Sequence, residues 1–134
     1  MTTSRLKLHA HWFCAASGFF ILLVALGSLP GTADTLSQRY GDKLLHTLAY
    51  SVMTVLYFFS YIGSKFARSV AAVSTIALLG ALDETVQSLL PYRNSSLADW
   101  CFDIAAAFIV VTLLLTLKGR RAASGKMRQA AHTD

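Results

Sequence analysis

The chain has 134 residues, of which 54% are hydrophobic and only 14% charged, with a net charge of +5. Soluble domains carry about 25% charged residues, and long stretches here carry none, which excludes an ordinary soluble enzyme and marks an integral membrane protein. The basic residues flank apolar segments and form no patch interleaved with aromatic rings, so the positive balance does not indicate a nucleic-acid partner.

A helix that crosses a hydrocarbon core of about 30 Å needs about 20 apolar residues. Four segments meet that length. The first is 12–29 (WFCAASGFFILLVALGSL), ended by Pro30. Its basic start at Arg5 and Lys7 and the Gly31-Thr32-Ala33 stretch resemble a signal peptide, but the apolar run is longer than the 7–15 residues of a usual signal core, so it is expected to be retained as a span. The second is 44–63, the third 69–90, stopped by Pro91, and the fourth 98–117, which ends at Lys118, Arg120 and Arg121. Runs of this length read as helices despite their β-branched and aromatic content, because isolated strands leave unpaired backbone groups in lipid. The predicted fold is all-α: an integral membrane bundle of four transmembrane helices. Residues 1–11 form a cytoplasmic N-terminal segment, 12–117 the membrane domain, and 118–134 a basic, disordered cytoplasmic tail.

Lys and Arg counts set the orientation. Nine of the twelve lie in the N-terminal segment, the loop holding Lys65 and Arg68, and the tail; Arg39, Lys43 and Arg93 lie on the other side. Both termini are therefore expected in the cytoplasm, with loops 30–43 and 91–97 facing out. Cys14 and Cys101 then fall near opposite faces, too far apart for a disulfide, and neither belongs to a metal-binding Cys pattern.

The ionisable residues of three spans then share one depth. Asp83, Glu84 and Gln87 lie near the outer end of the third helix, with Asp83 roughly 10 Å below Leu90. Asp42 and Lys43 open the second helix, followed by His46 and Tyr50. Asp99 and Asp103 open the fourth helix, one turn apart on one face. Burying a lone carboxylate in hydrocarbon costs several kcal/mol unless it is paired or protonated. Convergence on one interior pocket removes that difficulty, with Lys43 and Arg93 as counter-ions. Adjacent helical residues point about 100° apart, so Glu84 is expected to face the pocket and Asp83 to bond a neighbouring helix.

Plainer roles exist for each residue. Ser96-Leu97-Ala98-Asp99 matches a capping box, and Asp42 matches an N-cap. Lys43 and Arg93 have the length to snorkel to head groups. His46 and Tyr50 serve equally as links between helices. Capping leaves Glu84, His46 and Asp103 unexplained. Asn94-Ser95-Ser96 spells a glycosylation sequon but sits beside the membrane and reads as a turn. Trp12, Tyr92 and Trp100 read as interface anchors. The small residues Ala15 to Gly18 and Ala105 to Ala107 permit close packing within the chain.

These residues resemble a known family. DKLLHTLAYSVMTVLY, with Asp-Lys, His and Tyr opening the second span, is similar to the VanZ-like pattern. GALDETVQSLLPYRNSSLADWCFD resembles that family's Glu-x-x-Gln, Pro-x-Arg and Ser-x-x-Asp series, and Ser-Leu-Pro after the first span fits as well. The resemblance covers about residues 28–110. The family commonly has Asn four residues after the last Asp, then glycine; Asp103 and Ala105 to Ala107 stand there instead, which alters the charge of the pocket. The resemblance implies an inner (plasma) membrane protein of the cell envelope, linked with teicoplanin resistance.

Three functions compete. In an enzyme, His46, Glu84, Asp99 and Asp103 are the catalytic acid and base groups. Asp42, Lys43, Tyr50, Gln87, Arg93 and Ser96 bind the ligand, with Lys43 and Arg93 on phosphate. The partner would be a membrane lipid or a lipid-linked envelope precursor. No nucleophile motif accompanies these groups. His, Glu and two Asp have donor chemistry for a divalent metal, but not at a spacing a metal demands, so no metal or other cofactor is assigned. In an accessory protein the same pocket holds a head group, an antibiotic or a partner helix without chemistry. A small proton-coupled transporter is the third reading, opposed by uncharged inner helix halves and the lack of an inverted repeat.

Overall fold

The computed structural model describes residues 7–29, 42–93 and 95–130, without the side chains of residues 7, 42 and 118–130. The expected exterior loop 30–43 therefore lies largely outside the described residues, as do Pro30, the Gly31-Thr32-Ala33 stretch, Arg39, the Asp42 side chain and Asn94.

Four helices and one short strand pair make up the described residues: β1 (Lys7–Leu8), α1 (Ala10–Gly27), α2 (Asp42–Ser60), β2 (Tyr61–Ile62), α3 (Lys65–Ser88) and α4 (Leu97–Ala130). The strands are antiparallel, with Lys7 opposite Ile62 and Leu8 opposite Tyr61. His9 N–H also donates to the Ser60 carbonyl at 2.7 Å. This pairing ends α2 earlier than residue 63, where the apolar run had suggested. Gly63, at φ +151°, makes the reversal that follows, a backbone region largely closed to residues bearing a Cβ. Ser64 then caps α3 by accepting from Ala67 N–H at 3.1 Å. That cap sets the start of α3 at Lys65, upstream of the apolar run that begins at residue 69. At its other end α3 stops at Ser88, ahead of Pro91.

A second difference from expectation lies past Leu117. The helix continues to Ala130, where the polar composition had suggested disorder. In residues 118–130 the good helix formers Ala, Arg, Lys, Met and Gln outnumber Gly119, Ser124 and Gly125, and they extend a helix that is already nucleated.

α2 is the hub of the bundle. It packs against α1, α3 and α4, and α3 packs against α4; α1 rests chiefly on α2 and barely touches α3. The core joins Tyr50, Met53, Tyr57 and Phe58 of α2 to Ala16 and Phe20 of α1, Ala72 and Ile76 of α3, and Ala107 and Val111 of α4. Alanines at the crossings let backbones approach closely. Ala16, Ala106 and Ala107 are buried there, whereas Ala15, Gly18 and Ala105 face outward.

α1, α3 and α4 up to Leu117 are long and apolar enough to cross a membrane, and no more than 28% of any of the three spans' windows is buried within the bundle. Leu22, Leu78, Phe108 and Ile109 are among many large apolar side chains more than half exposed. In water such a surface is an aggregation hazard; in lipid it is ordinary solvation. α2 is not among these three helices. Its His46, Thr54 and Ser60 are buried, so its polar groups face its neighbours and its composition reflects a central position.

Candidate functional site

Three buried stripes meet at one end of the bundle. On α3, Ala72, Ile76, Gly80, Asp83 and Gln87 are buried, a spacing of three and four that places them on one helical face. On α4, Asp99, Asp103, Ala106 and Ala107 are buried, and on α2, His46, Tyr50, Met53 and Tyr57. Each helix thus turns its polar residues inward by the same periodicity that buries its apolar ones.

α2 and α4 run in the same direction from this end, so successive turns pair in order. Lys43 Nζ donates to Asp99 Oδ1 at 3.2 Å, and also stands 5.4 Å from the centre of the Phe102 ring. One turn deeper, His46 Nδ1 lies 3.3 Å from Asp103 Oδ1, with His46 8% exposed and Asp103 fully buried. α3 runs the other way and closes the third side. The Tyr50 hydroxyl donates to Asp83 Oδ2 at 3.1 Å. The rings of His46 and Tyr50 are nearly parallel, 7° apart, and stacked with centroids separated by 5.8 Å. Further out, Arg93 donates through an NH2 group to Gln87 Oε1 at 3.0 Å.

Gly80 sets the distance between α3 and α4. A Cβ there would lie 3.0 Å from Asp103 Oδ2 and 3.1 Å from Trp100 Cδ1. A side chain at position 80 would require Asp103 and Trp100 to give way by a few tenths of an ångström. Trp100 fixes the same crossing by donating Nε1–H to the Ala77 carbonyl at 2.9 Å. It is half-buried between helices, where the sequence had suggested a role at the interface. Tyr92, also expected there, is exposed, and its hydroxyl donates to the Ser28 carbonyl at 2.6 Å, tying the C-terminal ends of α1 and α3.

Asp83 rather than Glu84 faces the cavity lined by His46 and Tyr50. Asp83 also bonds a neighbouring helix, as anticipated. Glu84 instead lines a second, more open recess with Ser95, Ser96 and Trp100. The reason is periodicity: Gly80, Asp83 and Gln87 share the buried stripe, and Glu84 stands one residue off it. Glu84 Oε2 accepts the Ser96 backbone N–H at 2.6 Å. This is the amide that the N3 side chain of a capping box would take. The side chain of Asp99, at that position, is engaged by Lys43 instead, so a carboxylate from another helix performs the capping.

The cavity has a volume of about 250 Å³ and two unlike walls. His46, Tyr50, Asp83, Gln87 and Arg93 form the polar one, and Phe19, Leu22, Leu23 and Leu26 of α1 form the apolar one. Lys43, Asp99 and Asp103 stand behind the polar wall, outside the cavity lining. Among the described residues, three buried side-chain atoms nearby have no hydrogen-bond partner: Asp103 Oδ2, Glu84 Oε1 and Arg93 Nε. Buried polar atoms without partners are uncommon, and these sit together at one end of the molecule. Among the described residues, no group of three or more His, Cys, Asp or Glu side chains is arranged to hold a metal ion. Cys14 and Cys101 are exposed free thiols.

Position along the chain gave no sign of the parts played by Gly80 and Trp100. The i, i+3, i+7 spacing of Gly80, Asp83 and Gln87 was the available signal for both the close crossing and the inward acid. No protein-family model, curated protein or solved structure matches this chain.

Proposed function

We propose that this chain is a VanZ-like, four-span protein of the inner (plasma) membrane of a cell envelope, with both termini cytoplasmic. Its polar site near the outer leaflet binds a phosphate-bearing, lipid-linked envelope substrate, acts on it, and so alters susceptibility to teicoplanin. The observation that carries this reading is the meeting of His46, Tyr50, Asp83 and Arg93 around one cavity that an apolar wall completes. Arg93 supplies a guanidinium suited to phosphate. His46, paired with Asp103, supplies a group able to exchange protons.

Several features support four crossings. α2 is 19 residues long, and its polar groups face three other helices, where intramembrane polar residues are tolerated. The β1–β2 pair joins residues 7–8 to 61–62, which puts Lys7, Lys65 and Arg68 at one end, as a cytoplasmic placement of basic residues requires.

A non-catalytic accessory role is the second reading. It draws support from the engagement of Asp83 and Asp99 by Tyr50 and Lys43, since carboxylates held by their neighbours suit recognition as well as chemistry.

The test is expression in a teicoplanin-susceptible host, with growth inhibition and envelope lipids measured together. The wild type should raise the inhibitory concentration and shift the lipid profile; His46→Ala at equal membrane abundance should do neither. An unchanged lipid profile with a raised inhibitory concentration supports the accessory role. No effect of the wild type on either readout rejects the proposal.

A further inference from the structure

The geometry points to a single occupant for the cavity between α1, α2 and α3: an anionic amphiphile whose head group sits against Arg93 and whose hydrocarbon chain lies along α1 and leaves sideways into the bilayer. This rests on the phosphate-binding reading above and adds the ligand's shape and its route.

Three observations carry it. First, the two walls differ in chemistry in the way a head group and a chain differ. Arg93 contributes a cation with a buried, unpartnered Nε, while Leu22, Leu23 and Leu26 offer hydrocarbon alone. Second, the cavity reaches the outer surface of the bundle. Leu22 and Leu26 line it and are nevertheless 54% and 47% exposed. α1 barely touches α3, so the opening lies between these two helices, on the side that lipid covers. Third, the volume is small. About 250 Å³ falls below the roughly 300–1,000 Å³ of sites that enclose a drug-sized ligand. A whole lipid does not fit inside, whereas a head group and the first part of a chain do. A soluble phosphate would leave the apolar wall without a purpose.

The experiment compares three probes on the full chain purified in detergent, with binding read by native mass spectrometry. They are lysophosphatidic acid, inorganic phosphate, and a monoacylglycerol of the same chain length. Lysophosphatidic acid should bind at least about tenfold more tightly than either of the others. Leu22→Trp narrows the opening from an exposed position, and Ala49→Phe fills the cavity from α2. Each should weaken lysophosphatidic acid about tenfold and leave phosphate unchanged. Arg93→Gln should weaken both charged probes and leave the monoacylglycerol unchanged. All variants must elute as the wild type does, and if Ala49→Phe does not, Leu22→Trp alone decides the point.

Phosphate binding as tightly as the lipid, with Leu22→Trp indifferent, would overturn the chain slot and leave the phosphate site standing. A monoacylglycerol equal to lysophosphatidic acid, with Arg93→Gln indifferent, would overturn the head-group site and this inference together. Failure of all three probes to bind folded protein rejects both.

Discussion

His46 and Asp103, 57 positions apart in the chain, meet at 3.3 Å in the interior and join α2 to α4. Both are buried, His46 at 8% exposure and Asp103 fully. Removing His46 takes this partner from a buried carboxyl in a low-dielectric setting, which costs more than removing both. His46→Leu should therefore destabilise the bundle more than the double change His46→Leu with Asp103→Leu. Interhelical polar contacts in membranes contribute about 0.6 kcal/mol on average and at most about 1.7 kcal/mol, so the coupling is expected in that range. A double-mutant cycle followed by denaturant unfolding in detergent measures it, and additive single changes would count against the pair.

Gly80 permits the same junction from the other side. Gly80→Ala brings a methyl group to 3.0 Å from Asp103 Oδ2 and 3.1 Å from Trp100 Cδ1. Overpacking of this kind costs about 1–3 kcal/mol, and the melting temperature in detergent should fall. Gly18 is the control, with nothing within 4 Å of an added Cβ. Gly18→Ala should leave stability unchanged or raise it by roughly 0.5–1 kcal/mol. Equal melting of the two variants would show that α3 and α4 are not in contact at Gly80.

Tyr50 and Asp83 make the corresponding link between α2 and α3, at 3.1 Å. Tyr50→Phe leaves a buried carboxyl oxygen without its donor, a loss of about 1–3 kcal/mol. Asp83→Asn keeps an oxygen that accepts from the hydroxyl and should cost less than Tyr50→Phe. Chemical denaturation of the two variants in parallel gives the order; the reverse order would mean that Asp83 is held by something other than Tyr50.

Ser64 and Ser95 separate on opposite sides of the membrane under the four-span proposal. On a background with Cys14 and Cys101 changed to Ser, Ser95→Cys should react with an impermeant maleimide in intact cells. Ser64→Cys should react only after permeabilisation. Labelling of both from the same side would remove α3 as a crossing helix and with it the outward-facing site.

Ser64 also bears on stability, because its hydroxyl caps α3 by accepting from Ala67 N–H. Ser64→Ala should lower unfolding free energy by about 1 kcal/mol, as loss of an N-cap does. The change should not alter lipid binding, since the cap lies at the end of α3 remote from the cavity. A selective loss of binding at unchanged stability would contradict that separation.

The sequence by itself determined the helical class and the approximate positions of the four helices, because uninterrupted apolar runs leave backbone groups no other way to pair in lipid. It also located the polar ends of α2, α3 and α4, since charges are conspicuous where so few occur. It did not determine the ends of α2 and α3, which the β1–β2 pair and the Ser64 cap decide through contacts made after the chain turns back. Nor did it decide between Asp83 and Glu84. One residue is 100° of rotation on a helix, and the rotation of α3 follows from Gly80 packing against Asp103 and Trp100. That contact joins residues on two helices, and it exists only once both have been brought together.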